Sequence, residues 1–304
     1  MKYAFGIDIG GTNTRVGLVD ETGNIITLER FPTEIENPSE TFLRLSNWIN
    51  NIRVNYKEIE GIGVGCAGVV RVSDGVLLFS PNLPLWRNIQ IKLSLESLTG
   101  IPVVVDNDAN LFALGESIYG AGKGKSVVIG ITIGTGIGGG IIHNGRVFHG
   151  TFGGAGELGH VTIVPYGPRC NCGNFGCVEA FAGSYGIERR ANEIFLRYGR
   201  KFNDRLTPEL IGKLAKENDE LATMVINETA YYLGIFLVSI VHIFNPDVIV
   251  IGGGISNWDD YLFVPLRKFV FDKAMKHLTQ SLSIEKGALG DYATLIGASS
   301  IFFQ

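Results

Sequence analysis

The chain has 304 residues, 45% of them hydrophobic and 18% charged, with a net charge of -4. A chain of that length buries about three quarters of the surface its unfolded form exposes, in one large domain or two. The faintly acidic balance offers no electrostatic footprint for nucleic acid, no basic partner-binding face and no attraction to an anionic membrane.

The N-terminus reads "MKYAFGIDIGG", and Asp8 interrupts its apolar run before it reaches signal-peptide length, so a cytoplasmic protein is expected. Of the 41 glycines, many fall in two stretches that superimpose. "GIDIGGTNTRVG", Gly6 to Gly17, aligns with "GITIGTGIGGGI", Gly130 to Ile141, at an offset of 124, with Gly6/Gly130, Ile7/Ile131, Ile9/Ile133 and Gly10/Gly134 identical. Each reads as strand, glycine turn, strand, which argues for a duplicated fold.

After the first hairpin, "PSETFLRLSNWINNIRVN" places Phe42, Leu45, Ile49 and Ile52 at helical spacing, with Ser39 available as a cap after Pro38. "EGIGVGCAG" follows as a strand, in which Cys66 is expected to pack in the core. "VVRVSDGVLLFS" reads as a hairpin around Asp74-Gly75, "IKLSLESLTG" as a helix closed by Gly100, and "IPVVVDND" as a buried strand ending in carboxylates. The second half predicts helices near 179–198, 207–217 and 219–244, a strand "DVIVIGGG", and helices near 258–277 and 291–303. Its most apolar run, Tyr231 to Phe244, spans 14 residues and ends at "NPD", which reads as a buried helix too short to cross a bilayer. Strands alternating with helices indicate an α/β protein whose ligands sit beyond strand ends, and two such halves imply a cleft between them.

The glycine turns suit phosphate, because backbone N–H groups can approach oxygen without obstruction from Cβ. "DIGGTNT" adds hydroxyls at Thr12 and Thr14 and a carboxylate at Asp8, a set that suits phosphates and Mg²⁺. "GTGIGGG" offers Thr135, Gly136 and Gly138, and "VIVIGGGIS" supplies a third glycine run after a strand. No "GxxxxGK[ST]" is present, which excludes a P-loop. In "VVVDNDAN", Asp106, Asn107 and Asp108 open a helix. Asn107 or Asp108 can cap it, and the cluster also suits a base beside a ligand-gripping amide, as phosphoryl transfer to an alcohol requires.

Three of the four cysteines lie between Gly156 and Glu179. His160, Cys170, Cys172 and Cys177, spaced H-x9-C-x-C-x4-C, do not form a finger knuckle, yet they supply a complete tetrahedral set for structural Zn²⁺. Glu157 and Glu179 flank the cluster.

Taken together, "DIGGTNTRVGLVD", "CAGVV", "SPNLPLW", "DNDAN", "GTGIGGG", "GELGH", "CNCGNFGCVE" and "NPDVIVIGGG" resemble the ROK family of repressors, uncharacterised frames and sugar kinases, in particular its bacterial glucokinases. The resemblance runs the length of the chain. It implies an ATP-dependent hexose kinase of the duplicated actin/Hsp70-like (ribonuclease H-like) fold, usually a homodimer or homotetramer, with structural zinc beside the sugar. Carried over by motif, it implies Asp108 as base on the sugar 6-hydroxyl, with Asn107, Glu157, His160 and Glu179 on ring hydroxyls and Gly68 and Asn82 closing over the sugar. Asp8 would position Mg²⁺ through water, Gly10, Gly11, Thr12, Thr135 and Gly136 would hold the phosphates, and Gly253 and Gly254 would border the adenosine. The expected domains are 1–109 with 290–304, and 110–289 carrying the zinc loop.

ROK repressors carry a helix-turn-helix before the first "DIGG", whereas seven residues precede Asp8 here, so a kinase is expected over a DNA-binding repressor or a silent sugar sensor. The hexose is left open among glucose, mannose, allose, fructose, N-acetylmannosamine and N-acetylglucosamine. "SPNLPLW" with Trp86 leans toward glucose by resemblance.

Overall fold

The computed structural model describes residues 1–202 and 204–304. The first half runs β1 (Tyr3–Ile9), β2 (Asn13–Asp20), β3 (Ile25–Pro32), α1 (Pro38–Arg53), β4 (Ile59–Cys66), β5 (Val69–Arg71), β6 (Val76–Phe79), β7 (Ile89–Gln90), α2 (Ile91–Thr99), β8 (Val103–Asn107) and α3 (Asp108–Ile118). The second runs β9 (Val127–Ile133), β10 (Ile137–His143), β11 (Arg146–Val147), α4 (Glu179–Ala182), α5 (Ser184–Arg197), α6 (Pro208–Lys216), α7 (Glu220–Phe244), β12 (Val248–Gly252), α8 (Asp260–Lys273), β13 (Ser283–Lys286) and α9 (Ala293–Ser300).

The duplication expected from the two glycine hairpins is present in the sheets. One five-stranded sheet has the order β3-β2-β1-β4-β8 and the other β11-β10-β9-β12-β13, so each element of one has a counterpart in the other. β1 pairs antiparallel with β2 and parallel with β4, and β12 pairs parallel with β9 and β13. A three-stranded sheet, β5-β6-β7, is added to the first half.

Local signals explain most boundaries. Asn37, rather than Ser39, caps α1: its side chain accepts from Ser39 N, and Pro38 takes the first helical position, where its missing N–H costs nothing. Gly100 closes α2 in the left-handed conformation. The expected helix over 179–198 is broken at Gly183, because Ser184 turns its N–H and its hydroxyl onto the Gly134 carbonyl at 3.0 and 2.7 Å. The apolar run at 231–244 is the end of a longer helix. α7 has 25 residues, is capped by Asp219 and stopped by Asn245, and is long and apolar enough by composition to span a bilayer. Over half of its most apolar window is buried, and α5, α6 and α8 pack against it.

Two compact units emerge: residues 1–124, 140–156 and 288–304, and residues 125–139 and 157–287. The first thus takes in 110–124 and 140–156, which the sequence assigned to the large domain. The cause is close helix packing: α3 lies on α9, where a Cβ on Gly115 would stand 2.4 Å from the Ala293 carbonyl and one on Gly297 would stand 1.9 Å from that of Leu111. The core of this unit gathers Phe5, Ile7, Leu18, Leu45, Val64 and Trp86, with Cys66 fully buried among them. Trp86 is itself fully enclosed, edge-on to Phe42, with its indole N–H shared between the Glu34 and Ile35 carbonyls. It therefore works as a core residue.

Candidate active site and metal centre

In the first unit the β1–β2 turn is set by Gly10 N–H donating to Asn13 O, and Thr33 Oγ1 donates to the Gly10 carbonyl. Gly11 lies against Asn82, so two of the expected ligand-binding segments are neighbours. Thr12 is exposed at the tip. Asp8 faces Arg15 across the strand pair, with Arg15 Nη1 2.9 Å from Oδ2. Burial raises the Asp8 carboxyl above its usual range, and Arg15 opposes that shift without cancelling it. A carboxylate held this way gains from any further cation brought to it.

The turn after β8 shows how the "DND" side chains are held. Asn107 caps α3: Oδ1 accepts from Ala109 N at 2.8 Å and Asn110 N at 3.3 Å, while Nδ2 donates to the Gly68 carbonyl at 3.0 Å. Such a cap stabilises a helix by about 1 kcal/mol. Asp108 is the first helical residue, half-buried, with Oδ1 accepting from Ala109 N at 3.0 Å and its carbonyl accepting from Thr294 Oγ1 at 3.2 Å. Asp106 is 3% exposed and fully engaged, with Oδ1 accepting from Asn107 N at 2.7 Å and Asn110 Nδ2 at 2.9 Å. Its Oδ2 lies 2.6 Å from His149 Nε2. The sequence pattern missed His149, whose signal is that it is the only titratable residue in 147–156.

In the second unit the β9–β10 turn and the cysteine segment meet at Glu179. This carboxylate is 8% exposed; Oε2 accepts from Ile137 N at 3.0 Å beside Gly136, and Oε1 lies 3.5 Å from Cys170 Sγ. Thr135 belongs to the same turn, and Gly134 anchors the start of α5. Gly253 follows β12 with a φ of +80°, and a side chain there would meet the Ile133 carbonyl at 2.4 Å, so only glycine suits this approach to β9. Its carbonyl accepts both the N–H and the hydroxyl of Ser256, which shapes the turn that holds Gly254.

His160, Cys170, Cys172 and Cys177 bring one ligand atom each to within 4.8 Å of one another. Cys172 and Cys177 sulfurs are 3.7 Å apart, and Cys170 Sγ is 3.6 Å from His160 Nδ1. For metal–ligand bonds of about 2.3 Å, the edge of a tetrahedron is roughly 3.8 Å, so the donor set and its spacing fit a four-coordinate soft cation. His160 turns Nδ1 toward the sulfurs and leaves Nε2 on the Glu157 side, 3.8 Å from Oε2. Burial and the neighbouring thiols push Cys177 up to about 12, so binding a metal must displace protons there. A separate cavity of about 340 Å³ in this unit, lined by Val164, Pro168, Phe181, Arg190 and Tyr232 among others, includes none of these residues. Arg190 in its wall is already paired with Glu228 and the Phe181 carbonyl.

A sheet order used twice, each time with a glycine turn in its first hairpin, defines the class: the two-domain, actin/Hsp70-like α/β fold of sugar kinases. The chain belongs to the ROK family, whose model matches residues 4–304. It is 37% identical over 309 aligned positions to a glucokinase of Thermotoga maritima, covering 97% of this chain and 96% of that protein. It is 32% identical to a xylose repressor of Caldicellulosiruptor bescii, covering 96% of this chain and 76% of the repressor. Among solved structures, a ROK family glucokinase from Streptomyces griseus in complex with glucose and AMPPNP superimposes with a TM-score of 0.81 at 32% identity, over 98% of each chain.

Proposed function

We propose that the chain is an ATP-dependent hexose kinase that transfers a phosphoryl group to the 6-hydroxyl of glucose. The observation that carries the proposal is the turn at Asn107–Asp108, in a chain so similar to a glucokinase along its whole length. An acidic side chain stands there at the start of α3, at the carboxyl end of β8, beside an amide anchored to Gly68. In this reading Asp108 takes the proton of the sugar hydroxyl as that oxygen attacks phosphorus, so no free alkoxide has to form. Asn107, Glu157, His160 and Glu179 hold ring hydroxyls, and the Gly68 backbone and Asn82 complete the sugar contacts. Gly10, Gly11, Thr12, Thr135 and Gly136 hold phosphate oxygens, Asp8 orients Mg²⁺ through water, and Gly253 and Gly254 border the adenosine. Bound ATP with Mg²⁺ supplies the phosphoryl group and offsets its charge.

The cation of the Cys₃His cluster is Zn²⁺, one per chain. Four protein ligands leave no open position for water or substrate, so its role is to hold the segment bearing Glu157, His160 and Glu179. The enzyme acts in the cytoplasm as a homodimer or homotetramer.

ADP release at fixed ATP and Mg²⁺, measured against glucose, mannose, allose, fructose, N-acetylmannosamine and N-acetylglucosamine, tests the reading. Glucose is expected to give the highest kcat/KM. Another sugar exceeding it by about tenfold or more replaces glucose as the substrate. Sugar binding without ADP release would make the chain a sensor, and the absence of both would overturn the class.

A further inference from the structure

We propose that His149 is a positioning residue: through Asp106 it holds the Asn107–Asp108 turn and ties the segment 147–156 to it, making sugar affinity sensitive to pH. The proposal rests on the kinase reading and extends it to a side chain that no sugar-kinase motif above contains.

The geometry is that of a buried strut. A carboxylate can only accept, so the ring donates from Nε2 to Asp106 Oδ2 over 2.6 Å, the short range of charge-assisted bonds. Asp106 is almost wholly enclosed, and its other oxygen is spent on Asn107 N and Asn110 Nδ2. One carboxylate therefore connects the last residue of β8, the first turn of α3 and a loop 43 residues away. The loop is ordered from within as well: Ala155 N donates to the His149 carbonyl at 3.1 Å. Two residues beyond Ala155 the chain reaches Glu157, and three further on His160.

When protonated, His149 is the cation that answers the Asp106 charge. Residues 147–156 carry no other charged side chain. β8 contributes Asp106 alone. On α3, Asp108 opens the helix, and Glu116 is committed to the N–H groups of Ala121, Ala288 and Leu289. On β5, near Gly153, Arg71 is paired with Asp74. Consistent with this, the hydrogen bond that His149 donates to Asp106 raises the ring above the ordinary histidine value, against the opposing effect of burial. The imidazolium is present below that raised value and is lost as pH climbs through it. Neutral histidine leaves a buried carboxylate without its cation, and an unpaired buried charge is costly enough to loosen whatever holds it there. The loop leading to Glu157 and His160 is the exposed partner and yields first.

The test combines two readouts on the full-length protein. Proton NMR of the histidine rings, without sugar, should show one resonance titrating above about 6.5 and returning toward that value in Asp106→Asn. Glucose Kd by calorimetry and kcat and KM by coupled assay, from pH 6 to 9, should show KM and Kd rising together by roughly five- to tenfold through the same midpoint while kcat changes less. His149→Gln keeps a donor without a charge; it should bind glucose about as weakly at pH 6 as the wild type does at pH 9, with no alkaline limb. An unchanged alkaline limb in His149→Gln, or a wild-type affinity flat across the range, overturns the proposal even if the NMR pairing is found. ADP release that no hexose stimulates overturns the kinase reading itself, and the positioning role falls with it.

Discussion

Asp106 and Asp108 stand two residues apart where β8 passes into α3, and their surroundings differ. Asp106 has every oxygen engaged and almost no surface, whereas Asp108 is half-buried at a helix start that Asn107 already caps. A base must reach the proton it removes, a condition that supports the proposed role of Asp108 over one for the enclosed Asp106. Asp108→Asn is therefore expected to lower kcat by about 10²–10⁴ while glucose Kd, read by calorimetry, changes only a few-fold. A variant keeping a third or more of the activity would move the base elsewhere. The sequence offered the three polar residues of "DND" but not their separate surroundings, because the Asp106 partner is His149, too distant for any local pattern to reveal. Asn107 illustrates the same limit: capping and gripping were both legible, and the structure has it capping α3 and donating to Gly68.

The elements that sequence periodicity found are those with a strong local cause. Glycine hairpins, the Gly100 stop of α2 and the Asp74-Gly75 turn of β5–β6 all depend on residues within a few positions. β3, β11 and β13 escaped notice because they lie at or toward sheet edges and are short or one-sidedly exposed; β13 is four residues, "SIEK". The break at Gly183 was equally hidden, since its cause is a hydrogen bond to a carbonyl 50 residues earlier. The Cys₃His cluster was legible from residue type and spacing, and its four candidate ligand atoms do converge. Cys172 is the exposed member of the cluster, so Cys172→Ser removes a proposed metal ligand without opening a core cavity. Glucose affinity should fall by about tenfold or more while ATP affinity, measured by the same calorimetry, stays within about twofold. Elemental analysis of the untagged, unchelated wild type should find about one zinc per chain. Less than about half an equivalent in a fully active preparation would refute a structural zinc.

Across the whole molecule the same strand order is written twice, and each copy carries its own polar cluster. The turn after β1 is accompanied by Asp8 and the Asn107–Asp108 helix start in the first unit, and the turn after β9 by Glu179 and the Cys₃His cluster in the second. The repeat was readable from four identical residues in two glycine hairpins. The unit boundary was not, because the assignment of α3 depends on how closely two glycine-bearing helices approach. The most direct check of the proposed chemistry is to identify the product. Protein, ATP, Mg²⁺ and glucose are followed by phosphorus NMR, which is expected to show ADP and hexose 6-phosphate growing in equal amounts, abolished in Asp108→Asn. Inorganic phosphate in place of a sugar phosphate, or ADP formed at the same rate without sugar, would contradict it.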